Sequence, residues 1–197
     1  MTAHPLVIHA PNIHVGGGAV LLRSLLRAIN ESDTDWDCDA ILDERLTIEQ
    51  SGEHLRMHRF SSGLRGRWSA ERRLTQLATP ASRVLCFSSL PPLFRCPGRI
   101  SVFVQNRNII SAESLANYPR GERWKAQLQR TWFQSRHQNA HEYIVQTQTM
   151  ADLLEQRLGS TARIRIHPFL PQALPVESDP SERPATVPFV TRTPNYD

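Results

Sequence analysis

Short apolar runs alternate along this chain with amphipathic segments of ten or more residues, and this alternation constrains the fold more than any other feature. Leu6-Val7-Ile8-His9 precedes a segment from Ala19 to Ile29 in which Leu22, Leu25, Leu26 and Ile29 share one helical face. Candidate strands follow at Asp37–Leu42 and Leu55–Phe60, with a short helix expected between them at Glu44–Gln50. A second long helix runs from Trp68 to Ala78, carries Leu74 and Leu77, and ends before Pro80. Arg83-Val84-Leu85-Cys86-Phe87 and Ile100-Ser101-Val102-Phe103-Val104 are runs of the kind buried on both faces of a parallel sheet. Pro91-Pro92 and Pro97-Gly98 make the link between them a loop. A third helix from Glu122 to about His137 sets Trp124, Leu128 and Trp132 four residues apart, and Tyr143-Ile144-Val145 is a further strand. Thr147 or Thr149 caps the next helix, whose stripe is Met150, Leu153, Leu154 and Leu158, and Arg163 to Phe169 supplies a last strand. The predicted fold class is therefore α/β, a doubly wound, mostly parallel, Rossmann-like sheet.

At 197 residues there is room for one such domain, expected over residues 1–170. From Pro171 onward the prolines 175, 180, 184, 188 and 194 recur among Ser, Glu and Thr, so 171–197 reads as a linker or disordered tail. The net charge of +4 comes from interspersed acids and bases, and no nucleic-acid motif accompanies it, so a nucleic-acid partner is not expected. Cys38, Cys86 and Cys96 form no CxxC and are odd in number, which suits reduced, packed thiols in a cytoplasmic protein. No apolar run approaches the roughly 20 residues of a membrane span.

Gly16, Gly17 and Gly18 stand between the first strand and the first helix, where Cβ-free backbone and free helix N–H groups can approach a phosphate or hydroxyl. A dinucleotide fingerprint needs a further small residue, and Ala19, Val20 and Leu21 follow instead, which disfavours NAD. The absence of a ribose-binding acid at the end of the second strand, for which Asp43 is a poor candidate, also counts against it. Gln105, Asn106 and Arg107 leave the carboxyl end of an apolar strand, where open α/β sheets bind ligands; the amides suit sugar hydroxyls and the guanidinium suits a phosphate. Gln146 and Thr147 stand at the end of another strand, with helix capping as the competing role. His14, beside the glycines, is the candidate general base. His137 and His141 have a ligand-like spacing without the residues that complete a metal set, so no metal is expected. The densest basic stretch, Arg56 to Arg73, suits either a solvated face or peripheral contact with a membrane surface.

Taken in order, several of these segments resemble the N-terminal half of GT-B glycosyltransferases, most closely the retaining group 1 or family 4 type. They are Ile8-His9-Ala10 through Gly18, Val84 to Phe87 with Leu90-Pro91-Pro92-Leu93-Phe94, Val102 to Arg107, and Tyr143 to Thr147 with Met150. The likeness spans roughly residues 6 to 170. It implies an acceptor-side Rossmann-like domain in which Gly17 and Gly18 approach the nucleotide donor and Gln105, Asn106 and Arg107 line the cleft. It also implies a hexosyltransferase-like activity in polysaccharide, lipopolysaccharide or glycolipid assembly at the cytoplasmic membrane face, with no cofactor and a nucleotide sugar as co-substrate. The family's donor-binding half, expected from about residue 185, is not recognisable here, so this chain is expected to be truncated and inactive alone. The competing reading is a non-catalytic α/β binding or interaction domain, or a degenerate remnant.

Overall fold

The computed structural model describes residues 4–34, 36–48, 55–116 and 118–168. Seven strands pair in parallel in a single sheet: β1 (His4–Ala10), β2 (Trp36–Asp43), β3 (Leu55–Phe60), β4 (Arg83–Cys86), β5 (Arg99–Phe103), β6 (Glu142–Val145) and β7 (Ile164–Ile166). Their order is β3-β2-β1-β4-β5-β6-β7. The helices are α1 (Gly16–Asn30), α2 (Leu64–Leu77), α3 (Arg107–Ile110), α4 (Arg120–Arg136) and α5 (Gln148–Leu158). The doubly wound α/β fold expected from the sequence is the observed one.

The unbroken apolar runs are explained by burial on both faces of the sheet. Val7 packs with Ala70 and Leu74 of α2, Phe133 of α4 and Leu154 of α5, whereas its neighbours Ile8 and Ala10 pack on the opposite face with Leu22 and Leu26 of α1. Each fully buried Leu or Ile contributes about 1.5–3 kcal/mol of transfer free energy, which outweighs the poor helix propensity of the glycines that open α1.

That opening differs from the sequence expectation. The first helix begins at Gly16 rather than Ala19, so the three glycines are its first turn and not a loop ahead of it. Val15 is extended, and Gly16 has a φ of 71°, a left-handed conformation that glycine adopts without penalty. The short helix expected at Glu44–Gln50 does not form over its described part: Glu44 and Arg45 make a turn and 46–48 are irregular, while 49–50 lie outside the described residues. The cause is local capture by Asp43, whose Oδ1 accepts the Arg45 amide at 3.0 Å. α2 starts at Leu64, four residues ahead of Trp68. In α4 the three residues spaced by four differ in burial, and only Trp132 packs against the core. Trp124 is 73% and Leu128 52% exposed, because the helix is anchored by fully buried Phe133, about two and a half turns on from Trp124 and therefore on the opposite side. The last strand is confined to Ile164–Ile166, and Phe169 and the predicted tail at 171–197 lie outside the described residues.

From β1 the chain winds outward through β2 and β3, then crosses back to β4 and winds the other way. The loops after β1 and β4 therefore diverge, leaving a crevice at the carboxyl ends of these neighbouring strands.

Candidate functional site

The wall of this crevice on the β1 side is the first turn of α1. Its N-cap residue Val15 makes no side-chain capping bond, and no acidic residue lies in the turn. A Cβ added at Gly17 would meet nothing within 4 Å, and one at Gly18 would come 3.3 Å from Gln105 Oε1. Gly18 and Gln105, separated in sequence by about half of the domain, are thus packed together.

Gln105 is held by the strand ends beside it. Its Nε2 donates to the Phe87 carbonyl at 3.1 Å, and its backbone amide donates to Ser89 Oγ at 2.9 Å. The Asn106 amide donates to the same hydroxyl at 3.2 Å. Ser89 is buried and holds a φ of 61°, so a strained residue ties the β4 loop to the end of β5. The other two members of the cluster read from the sequence turn elsewhere. The Asn106 side chain caps α3 by accepting the Asn108 amide at 3.0 Å, and Arg107 forms an ion pair with Glu113. At the end of β6, Gln146 is half-buried and Thr147 caps α5, accepting the Met150 amide at 3.3 Å. Thr147 thus fills the capping role expected of it, a role compatible with a place at the strand end.

His14 is partly buried, with Nδ1 3.9 Å from Asp43 Oδ2, beyond hydrogen-bond reach. Asp43 is fully buried and chelated by Arg45, whose Nε and Nη2 each lie 2.8 Å from a carboxylate oxygen. Those bonds hold the Asp43 carboxyl below its ordinary range against the opposing effect of burial. The carboxylate that a ribose would need is therefore already occupied, which adds to the missing glycine as an argument against dinucleotide binding. His137 and His141 do not converge: one ring nitrogen of His137 lies 2.8 Å from the Gln134 carbonyl, and His141 Nδ1 accepts the Ile100 amide at 3.1 Å.

The Arg56–Arg73 stretch does not form one basic face. Arg56 pairs with Asp37 at 2.6 Å and with Asp39 at 2.8 Å, Arg59 donates to the Leu46 carbonyl at 2.7 Å, and Arg67 is buried.

Arg67 belongs to a cluster beneath the crevice that the sequence reading did not assemble. Its Nη2 lies 2.7 Å from Glu71 Oε1, and the same oxygen is 3.6 Å from Nε2 of fully buried His9 at the end of β1. Glu71 Oε2 accepts the Leu93 amide at 2.8 Å. Arg67 Nη1 reaches Ser88 Oγ at 3.4 Å, and its guanidinium carbon lies 4.7 Å above the Trp132 ring. Asn12 satisfies both amide atoms when it donates to the Pro11 carbonyl at 2.9 Å and accepts from Arg67 Nη1 at 3.3 Å. Burial, then the Arg67 charge, lowers the basicity of His9 well below the ordinary histidine range, so the ring is neutral. Burial raises the Glu71 carboxyl, opposed by Arg67 and the Leu93 amide. The cluster joins β1, α2 and the loop after β4. A signal for it was present: Arg67 and Glu71 fall at helical spacing with Ala70 and Leu74, on the buried stripe of α2.

The described residues thus define a doubly wound α/β domain with a crevice at its switch point. No family model and no curated protein matches the chain. Among solved structures it is similar to the apo form of the lipopolysaccharide outer core galactosyltransferase WaaB, at 8% identity and a TM-score of 0.49, over 82% of this chain and 44% of that one. It is also similar to an E. coli structure described as trehalose-6-phosphate bound with UDP-2-fluoro glucose, at 12% identity and a TM-score of 0.45, over 84% of this chain and 48% of that one. The chain spans a little under half the length of each.

Proposed function

We propose that this chain is a glycosyltransferase-type domain whose crevice takes a sugar or lipid-linked acceptor and approaches the phosphates or sugar of a nucleotide-sugar donor. The observation that carries the reading is Gly17. Its backbone conformation does not call for glycine, nothing described lies near its missing Cβ, and alanine would favour the helix by about 1 kcal/mol. A residue without Cβ at an uncapped helix N-terminus, facing a crevice, leaves space for a ligand against the backbone. The ordered motifs shared with GT-B enzymes support sugar transfer as the chemistry.

In this reading the first-turn amides of α1 donate to a diphosphate or hydroxyl and supply fixed positive potential there. Gln105, locked by Ser89 and the Phe87 carbonyl, sets the width of the crevice against Gly18. His14 stands beside this turn as the group that accepts a proton from an acceptor hydroxyl. The reaction needs no metal in this scheme, and the protein acts in the cytoplasm.

The test is calorimetry of the purified chain with UDP- and GDP-sugars and with saccharide acceptors, repeated on Gly17→Ala. Binding that Gly17→Ala weakens at unchanged stability supports the reading. Binding that ignores Gly17→Ala refutes the assigned wall, and absence of binding by every saccharide acceptor refutes an acceptor site in favour of a non-catalytic interaction domain.

A further inference from the structure

The outward face of α4 has no counterpart in the crevice chemistry. Trp124 and Leu128 lie one helical turn apart and are the most exposed apolar side chains of this helix, at 73% and 52%. Arg120 and Arg123 precede them, and Lys125, the only lysine of the chain, flanks them; all three are exposed. Between residues 107 and 136 six Arg or Lys stand against Glu113 and Glu122, and Glu113 is already paired with Arg107. A groove of about 580 Å³ is lined by Trp124 with Leu115 and Ala116 and by Arg120, Arg123 and Arg130. Arg123 is fixed there by the Ala116 and Tyr118 carbonyls, at 2.9 and 3.3 Å.

We propose that this face of α4 docks on an anionic phospholipid surface. Charge selects the occupant. A second copy would oppose two basic faces, whereas phosphate headgroups neutralise Arg120, Arg123 and Lys125 while the indole of Trp124 enters the interface and Leu128 reaches the acyl boundary. α4 lies on the membrane rather than in it, since among the described residues no helix is long and apolar enough to cross one. Its orientation places the crevice close by: the chain leaves β5 at the carboxyl edge of the sheet and must return to the opposite edge before β6, so α4 begins near the crevice side. The inference does not depend on sugar transfer, because it rests on exposure and charge alone. It also relocates the membrane contact that the Arg56–Arg73 stretch suggested in the sequence.

The experiment is co-sedimentation of the full chain with phosphatidylcholine vesicles containing phosphatidylglycerol, and with pure phosphatidylcholine, near 0.1 M salt. Hydrogen exchange is read in parallel. The expected result is binding to the anionic vesicles only, protection over residues 120–131, and a partition coefficient lowered about tenfold or more by Trp124→Ser/Leu128→Ser or by Arg120→Gln/Lys125→Gln. Raising the salt to 0.5 M should release the protein. Unchanged far-ultraviolet dichroism shows that the variants fold. The proposal is overturned by absence of binding, by binding that both folded variants retain, or by Trp124-dependent self-association without vesicle binding.

Discussion

Glu71→Met probes the buried cluster that joins β1, α2 and the loop after β4. The side chain is fully buried, its Oε1 faces Arg67 at 2.7 Å, and its Oε2 is the acceptor of the Leu93 amide. Removing it leaves a guanidinium whose side chain is only 7% exposed without its counter-charge. Breaking a buried pair from one side costs about 3–5 kcal/mol, which for a domain of this size lowers Tm by about 10 °C. Arg67→Met/Glu71→Met removes both charges and keeps an apolar group near Trp132, so most of the loss is expected to return. Arg67→Met alone should be milder in acid, because Glu71, already biased toward its neutral form by burial, protonates and no longer needs a partner. The assay is urea unfolding of the two single variants and the double variant at pH 8 and pH 5.5, with the slope checked for two-state behaviour. A Glu71→Met loss under about 1 kcal/mol, or a double variant as unstable as the sum of the singles, would refute the buried-pair account.

Ser89→Ala should destabilise by about 1–3 kcal/mol in thermal unfolding, since it strips the acceptor from the Gln105 and Asn106 amides. Gly66→Ala and Gly98→Ala should be severe and Gly17→Ala neutral or slightly stabilising in the same assay. A Cβ at Gly66 would come 1.8 Å from the Ser61 carbonyl oxygen, and one at Gly98 2.6 Å from that of Ser82. His9 gives a pH signature. Its folded form resists protonation, so below the unfolded value near 6.5 the unfolded chain binds the extra proton and stability falls with decreasing pH, by at most about 1.4 kcal/mol per unit. Glu71, raised by burial, works in the opposite direction in the acid range, so the comparison that isolates His9 is wild type against His9→Gln across pH 8 to 5.5. Equal slopes for the two proteins would contradict a buried neutral ring. Cys38 and Cys96, whose thiols burial pushes up to about 12 and about 11, should react slowly with thiol reagents at pH 8 until the chain unfolds, and rapid labelling would contradict their packing.

The sheet was legible because double-sided burial imposes unbroken apolar runs, and those of β1, β4 and β5 have no other use. Helix starts were less legible. Propensity argues against Gly16–Gly18 as helix, and only the packing of Ala19, Leu22 and Leu26 draws the turn in. A spacing of four left the core side of α4 unread, because Trp124, Leu128 and Trp132 drift around a helix whose core contact is set by Phe133, with only Trp132 reaching the core. Position at strand ends identified Gln105 but not its neighbours' orientations, since Asn106 turns back to cap and Arg107 finds Glu113, choices that depend on loop geometry. The His9–Glu71–Arg67 cluster was hidden by distance in sequence, although an acid and a base on the apolar stripe of α2 marked it.

The crevice between the first turn of α1 and the end of β5 is the proposed ligand site. Chemical-shift mapping of the isotope-labelled chain, titrated with nucleotide sugars and saccharide acceptors, tests it most directly. The account predicts saturable shifts at Gly16–Gly18 and at Gln105. Shifts confined to other surfaces, or none at millimolar ligand, would contradict it.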